Sequence, residues 1–209
     1  MKTVKFLFFS VCLGTISFSQ TVTIGTQVWM TKNLDVATFR NGDPIPQAKT
    51  NEEWQKAAEN QQPAWCYYNN DPANGAKYGK LYNWYAVNDS RGLAPEGWHV
   101  PSDAEWTSLW KLISQNQIKL KSTSGWNNNG NGTNESGFSG LPGGNRNFDG
   151  NFYGIGEVGD LWSSSQSEDS QFGLGFILDS SNAATPPYYP FPKGKGKVVR
   201  CVQLELPDF

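Results

Sequence analysis

A single histidine, His99, and only two cysteines beyond residue 19, Cys66 and Cys201, leave this chain poor in the side chains that nucleophilic and metal chemistry most often uses. Any Ser-His or Cys-His pair must draw on His99, and one His with two distant Cys makes a poor tetrahedral zinc set. Charge is scarce as well. Only 17% of the 209 residues are Asp, Glu, Lys or Arg, against about a quarter in an average chain. The 17 basic and 19 acidic residues leave a net charge of -2 with no basic tract, which argues against nucleic acid or anionic lipid as the partner. No segment after the N-terminus is apolar enough to span a bilayer. The apolar run over residues 6–18 follows Lys2 and Lys5 and ends in Ser17-Phe18-Ser19, the pattern of a cleaved leader over residues 1–19, which predicts export to the periplasm, cell surface or medium. Cleavage is expected before Gln20 or Thr21. Acylation at Cys12 is disfavoured by Val11 at a position that calls for a small residue. Losing Lys2 and Lys5 leaves 15 basic against 19 acidic residues, a net charge of -4.

What is abundant is aromatic bulk and turn residues: nine Trp, eight Tyr and twelve Phe beside 22 Gly and 12 Pro. The length suits one domain, residues 20–209. Alternation of branched and polar residues predicts an N-terminal strand over 21–30. Thr50 and Glu53 have capping-box spacing and predict a helix over 51–59. Leu81, Trp84, Tyr85 and Asn88 stand at helical spacing and predict another over 78–88. Ser102 and Glu105 form a second capping box, followed by a Trp106, Leu109, Trp110, Ile113 stripe that reads as a core face. Residues 121–160 then hold eleven of the glycines and eight asparagines, yet their aromatics favour a structured loop excursion over disorder. Short strands are expected over 161–165, 172–178 and 197–204, with an irregular proline-rich loop over 186–192. The class is α+β.

Several motifs touch chemistry without completing it. Asn127-Asn128-Asn129-Gly130-Asn131-Gly132 places oxygen-bearing side chains as a calcium loop does, but the twelfth position is Phe138 where a bidentate Glu is required. Calcium is thus a weak possibility, and the expectation is no cofactor. Residues 154–159 match GxGxxG by letter with no crossover helix after them. Glu135, Asp149, Glu157 and Asp160 are loop carboxylates of the kind glycoside hydrolysis employs, at separations the sequence does not fix. In an exporting compartment Cys66 and Cys201 can form one bridge, which would close a long loop and stabilise by about 4 kcal/mol. The alternative is two buried free thiols.

Blocks spread along the chain are familiar together: Ile24-Gly25-Thr26-Gln27-Val28-Trp29-Met30, Cys66-Tyr67-Tyr68-Asn69-Asn70-Asp71, Tyr78-Gly79-Lys80-Leu81-Tyr82-Asn83-Trp84, Gly97-Trp98-His99-Val100-Pro101-Ser102, Gly137-Phe138-Ser139-Gly140-Leu141-Pro142-Gly143-Gly144, Leu161-Trp162-Ser163-Ser164-Ser165 and Val199-Arg200-Cys201-Val202. In this order they resemble the Fibrobacter succinogenes major paralogous domain, found in exported bacterial proteins. A more distant similarity, from Tyr78 through Trp106 to Gly159-Asp160-Leu161-Trp162 and Val199-Arg200-Cys201-Val202, is to formylglycine-generating enzymes. That resemblance implies a C-type-lectin-like fold: a small antiparallel sheet, two or three helices, long irregular loops, and N- and C-terminal strands brought together. The paired late cysteines of those enzymes are absent here, as is the Glu or Gln, Pro, Asn sugar motif of calcium-dependent lectins.

The expected function is an exported, non-catalytic recognition or adhesion module for a glycan or a cell-envelope protein. Its ligand surface is expected in the 121–170 loops, where aromatics can stack on sugars and amides can bond hydroxyls. The candidate ligand residues are Trp126, Asn145, Arg146, Asp149 and Trp162, with inward-facing structural roles as the alternative for the two Trp. The rival expectations are an exported enzyme of formylglycine-generating-like fold, redox at the cysteines or hydrolytic at the carboxylates, and a structural component of a surface assembly.

Overall fold

A computed structural model describes residues 20–181 and 188–203. The expected leader, Pro186, Pro187 and Leu204 lie outside the described residues. The chain runs β1 (Thr21–Ile24), β2 (Gln27–Met30), α1 (Asn51–Glu59), β3 (Trp65–Cys66), α2 (Pro72–Tyr78), β4 (Leu81–Tyr82), α3 (Trp84–Val87), β5 (Trp98–His99), α4 (Asp103–Leu112), β6 (Gly143–Arg146), β7 (Phe152–Ile155), β8 (Val158–Gln166), β9 (Phe172–Asp179), β10 (Tyr188–Pro192) and β11 (Val202–Gln203). The strands form a five-stranded sheet ordered β10-β9-β8-β6-β7, a four-stranded sheet ordered β1-β2-β11-β5, and the pair β3-β4. Pairing is antiparallel except between β6 and β8. The α+β class holds.

Local chemistry explains where the elements fall. Both capping boxes form, with Thr50 opening α1 and Ser102 opening α4. The expected single strand over 21–30 is instead a hairpin, because Gly25 takes φ +63° and folds Ile24 back against Gln27. The expected helix over 78–88 is broken. Gly79, at φ +78°, ends α2, and the short strand β4 precedes Asn83, whose side chain accepts from the Ala86 N–H to start α3. Within the supposed loop excursion the Gly-Gly-Asn-Arg run becomes β6 and the GxGxxG letters become the turn between β7 and β8, strands that flank β6 on either side, where Glu157 N–H donates to Gly154 O at 2.9 Å. The proline-rich stretch also departs from expectation: residues 188–192 pair with β9 as the sheet's edge, where missing N–H groups are tolerated. At the C-terminal end only Val202–Gln203 is regular strand, pairing between Trp29 and His99 and so joining the two ends of the chain.

The aromatics fill two adjoining cores. In one, Trp106 stacks on Phe176 at 4.6 Å and meets Trp29 at 4.8 Å, with Phe138 edge-on to both. The other gathers Trp65, Tyr82, Trp84 and Trp162. Cys66 belongs to the first core and Cys201 to the second, and both thiols are free and buried. The expected bridge therefore does not form. Each sulfur is walled into its own apolar cluster, and burial pushes each thiol up to about 12 against the opposing pull of Arg146 on Cys66 and of Arg200 on Cys201.

Five cations are buried with these rings. Lys80 bonds Asp35 beneath Trp65, Lys121 donates to Asp179 O at 2.6 Å beneath Trp126, and Arg200 donates to Met30 O and Phe138 O. Arg146 lies between Trp54 and Phe152, and Lys197 against Phe191 and Trp162. Each cation holds carbonyls or a carboxylate beside an aromatic face. In a chain with so few charges, these are fasteners for its loops.

Candidate functional site

The residues singled out from sequence mostly face inward. Trp162 is 0% exposed and its indole N–H donates to Tyr82 O at 2.8 Å. Trp126 is 5% exposed, with its N–H shared between Ser122 Oγ and Gly140 O. Arg146 is 0% exposed, and its guanidinium donates to Gly150 O at 2.9 Å, Ala48 O at 3.1 Å and Thr50 O at 2.8 Å. Asn145 is buried in β6 opposite Tyr153. Asp149 alone reaches the surface, where its carboxylate accepts the Asn151 N–H at 2.9 Å, and that backbone bond holds it below the usual carboxylate range.

Arg146 and Asp149 instead build a platform. Gly150 N–H donates to Asn147 O and Asn147 N–H to Asn151 O, closing a tight turn over residues 147–151. Arg146 secures that turn from below, and Gln55 of α1 secures it from the side through Asp149 O at 2.7 Å. At its tip stands Phe148, 52% exposed. A turn tied at these points presents its ring with little backbone ordering left to cost binding.

Phe148 forms one wall of a groove of about 540 Å³ lined also by Ala58, Gln61, Tyr85, Pro192 and Lys193, with Ser170, Gln171 and Gly194. Tyr85 comes from α3, whose Trp84 is anchored by its indole N–H to Ser163 O and by its backbone N–H to Lys193 O. Partial burial raises the Tyr85 phenol above its ordinary value. Gly194 closes the floor: a Cβ there would meet the Ala58 Cβ at 2.6 Å. Ser170 and Gln171 sit on the β8–β9 turn, which is set by Phe172 N–H to Asp169 O and Gln171 N–H to Asp169 Oδ1. Among the described residues, the side chains of Gln61, Tyr85, Ser170 and Gln171 have no hydrogen-bond partner. The groove therefore combines two aromatic surfaces with uncommitted amides and hydroxyls.

A second hollow, of about 470 Å³, lies between α1 and the Pro44–Pro46 segment. Its two salt-bridging or capping groups are engaged, Glu53 accepting the Lys49 and Thr50 N–H groups and Arg91 pairing with Asp89 and Asp43, while Gln47, Lys56 and Gln62 complete its polar lining without an aromatic ring beside them. The other chemistry-bearing residues stand in separate places. His99 Nε2 lies 2.5 Å from Glu105 Oε1 at the start of α4. Burial alone would raise the Glu105 carboxyl, but His99 and the Ser102 N–H and O–H hold it below its usual range. Asp160 pairs with Lys197 at 2.5 Å and Lys195 at 3.5 Å inside the fold, and Glu135 pairs with Lys119 at 3.2 Å on the surface. In the calcium-like run, Asn131 Oδ1 accepts the backbone N–H of Trp126.

Sequence reasoning missed Tyr85 and Phe148 as site residues. For Phe148 a signal existed: a bulky ring inside the turn sequence Asn147-Phe148-Asp149-Gly150 has no helix or strand periodicity to bury it. For Tyr85 none existed, since its outward position follows from the break at Gly79.

No curated protein and no solved structure matches the chain. The match to a family model is nearly end to end over the described residues: residues 22–203 fit the Fibrobacter succinogenes major domain, and the chain belongs to that family.

Proposed function

We propose that this protein is an exported, non-catalytic recognition module that binds carbohydrate in the Phe148–Tyr85 groove, without calcium. The observation that carries this reading is the pairing of an exposed, rigidly mounted aromatic ring with hydroxyl and amide groups left unused by the fold. Sugars offer apolar C–H faces for stacking and hydroxyls for bonding, and a preformed cleft meets both at little ordering cost. Redox chemistry at the cysteines gains no support, because both thiols are buried and hold their protons at neutral pH. Calcium independence is supported by Asn131 Oδ1, which is committed to the Trp126 backbone N–H. We also infer a C-type-lectin-like arrangement, supported by the pairing of the chain's two ends through β2 and β11 and by the largely irregular segment between α4 and β6.

A glycan array probed with residues 20–209, with calcium and with chelator, tests the reading. Binding to a defined glycan class, equal in both conditions, is expected. Silence across the array would remove carbohydrate as the ligand and leave an envelope protein as the partner to seek.

A further inference from the structure

Near the C-terminus the chain carries Lys193-Gly194-Lys195-Gly196-Lys197, three lysines alternating with glycines. Lys197 and Lys195 both turn to Asp160, at 2.5 Å and 3.5 Å. Lys193 has no carboxylate within ion-pair distance among the described residues. Its Nζ lies 4.4 Å from the centre of the Trp84 ring and donates one bond, of 2.7 Å, to the neutral Gln166 Oε1. An ammonium carries three protons, so two remain for a ligand. Lys193 is also the sole charged residue among those found lining the groove. On the neighbouring β8–β9 turn, Asp169 accepts the Gln171 N–H and Glu168 is exposed.

We propose that the groove selects anionic carbohydrate, carrying carboxylate or sulfate, with Lys193 as the counter-charge. The inference rests on the recognition reading above and narrows its ligand class. A half-buried cation with only neutral partners gains more from an incoming anion than a fully solvated one does, because part of its desolvation is already complete. The selectivity is local. With 15 basic and 19 acidic residues beyond position 19, the protein as a whole repels polyanions.

Calorimetric titration of residues 20–209 with oligogalacturonate and its neutral methyl ester, and with a sulfated galactan oligosaccharide and its desulfated form, tests this and separates the two anion sources. At least one anionic member should bind about tenfold or more tighter than its neutral twin, with the preference shrinking as salt rises from low to high. K193Q should bring the anionic affinity down to the neutral level, K193R should retain most of the preference, and circular dichroism should show all three proteins equally folded. Equal affinity for charged and neutral twins, or a preference that survives in K193Q, overturns the anionic assignment while leaving carbohydrate recognition standing. Failure to bind either anionic oligosaccharide, alongside a neutral hit on the array, also overturns it; absence of any carbohydrate binding removes both readings.

Discussion

Lys197 shows what a buried charge does in this fold. Its side chain is 0% exposed, 2.9 Å from the centre of the Phe191 ring, and bonded to Asp160. Burial lowers its pKa to about 7, with Asp160 acting in the opposite direction. Burial likewise lowers Lys121, to about 8. Between these values and the ordinary lysine value of 10.5, the unfolded chain holds protons that the folded chain has released, so stability rises with pH in that window. The two thiols work the other way, but only above their ordinary value of 9.0. From pH 7 to 9, urea unfolding should therefore show stability rising by about 2 kcal/mol per pH unit. K197M should lose at least half of that slope; an unchanged slope would show that Lys197 stays charged throughout.

At the scale of elements, what could be read directly were the parts governed by local chemistry. The α1 and α4 boundaries follow from Thr50-Glu53 and Ser102-Glu105, and the α4 stripe was legible as a core face because Trp106, Leu109 and Trp110 recur at helical spacing. The 143–159 segment was not legible, because its glycines serve close approach rather than flexibility. Gly144 would set a Cβ 2.5 Å from Tyr153 O, a contact made by tertiary pairing that no local pattern encodes. The candidate site divides the same way. Of the 121–170 loops, Phe148 and Ser170 line the groove, whereas most of the residues chosen there are inward fasteners, since a Trp in a loop is buried or exposed according to partners far away in sequence, as Trp162 is by Tyr82. Glycine substitutions separate packing from backbone strain. At Gly130 a Cβ would stand 2.4 Å from Ser180 O, whereas at Gly42, with φ +91°, nothing lies within 4 Å. G130A should cost about 3 kcal/mol and G42A about 1 kcal/mol in urea unfolding; equal losses would mean that the 127–131 turn does not pack against the end of β9 as described.

Across the whole molecule, aromatic bulk and scarce charge have one common use. Two ring-filled cores and five buried cations tie long irregular segments into a fixed frame, and from that frame Phe148 and Tyr85 face solvent across a single groove. The frame leaves the groove's amides and hydroxyls unspent while it pairs Glu135 and Asp160 and buries both thiols. Measuring the affinity of F148A and Y85A for whichever glycan the array identifies tests the central claim most directly. Each variant, folded as the wild type, should weaken binding by about 1–3 kcal/mol, the amount at stake when a stacking ring is removed from a binding site. Full wild-type affinity in both variants would contradict the account and place the ligand on another face.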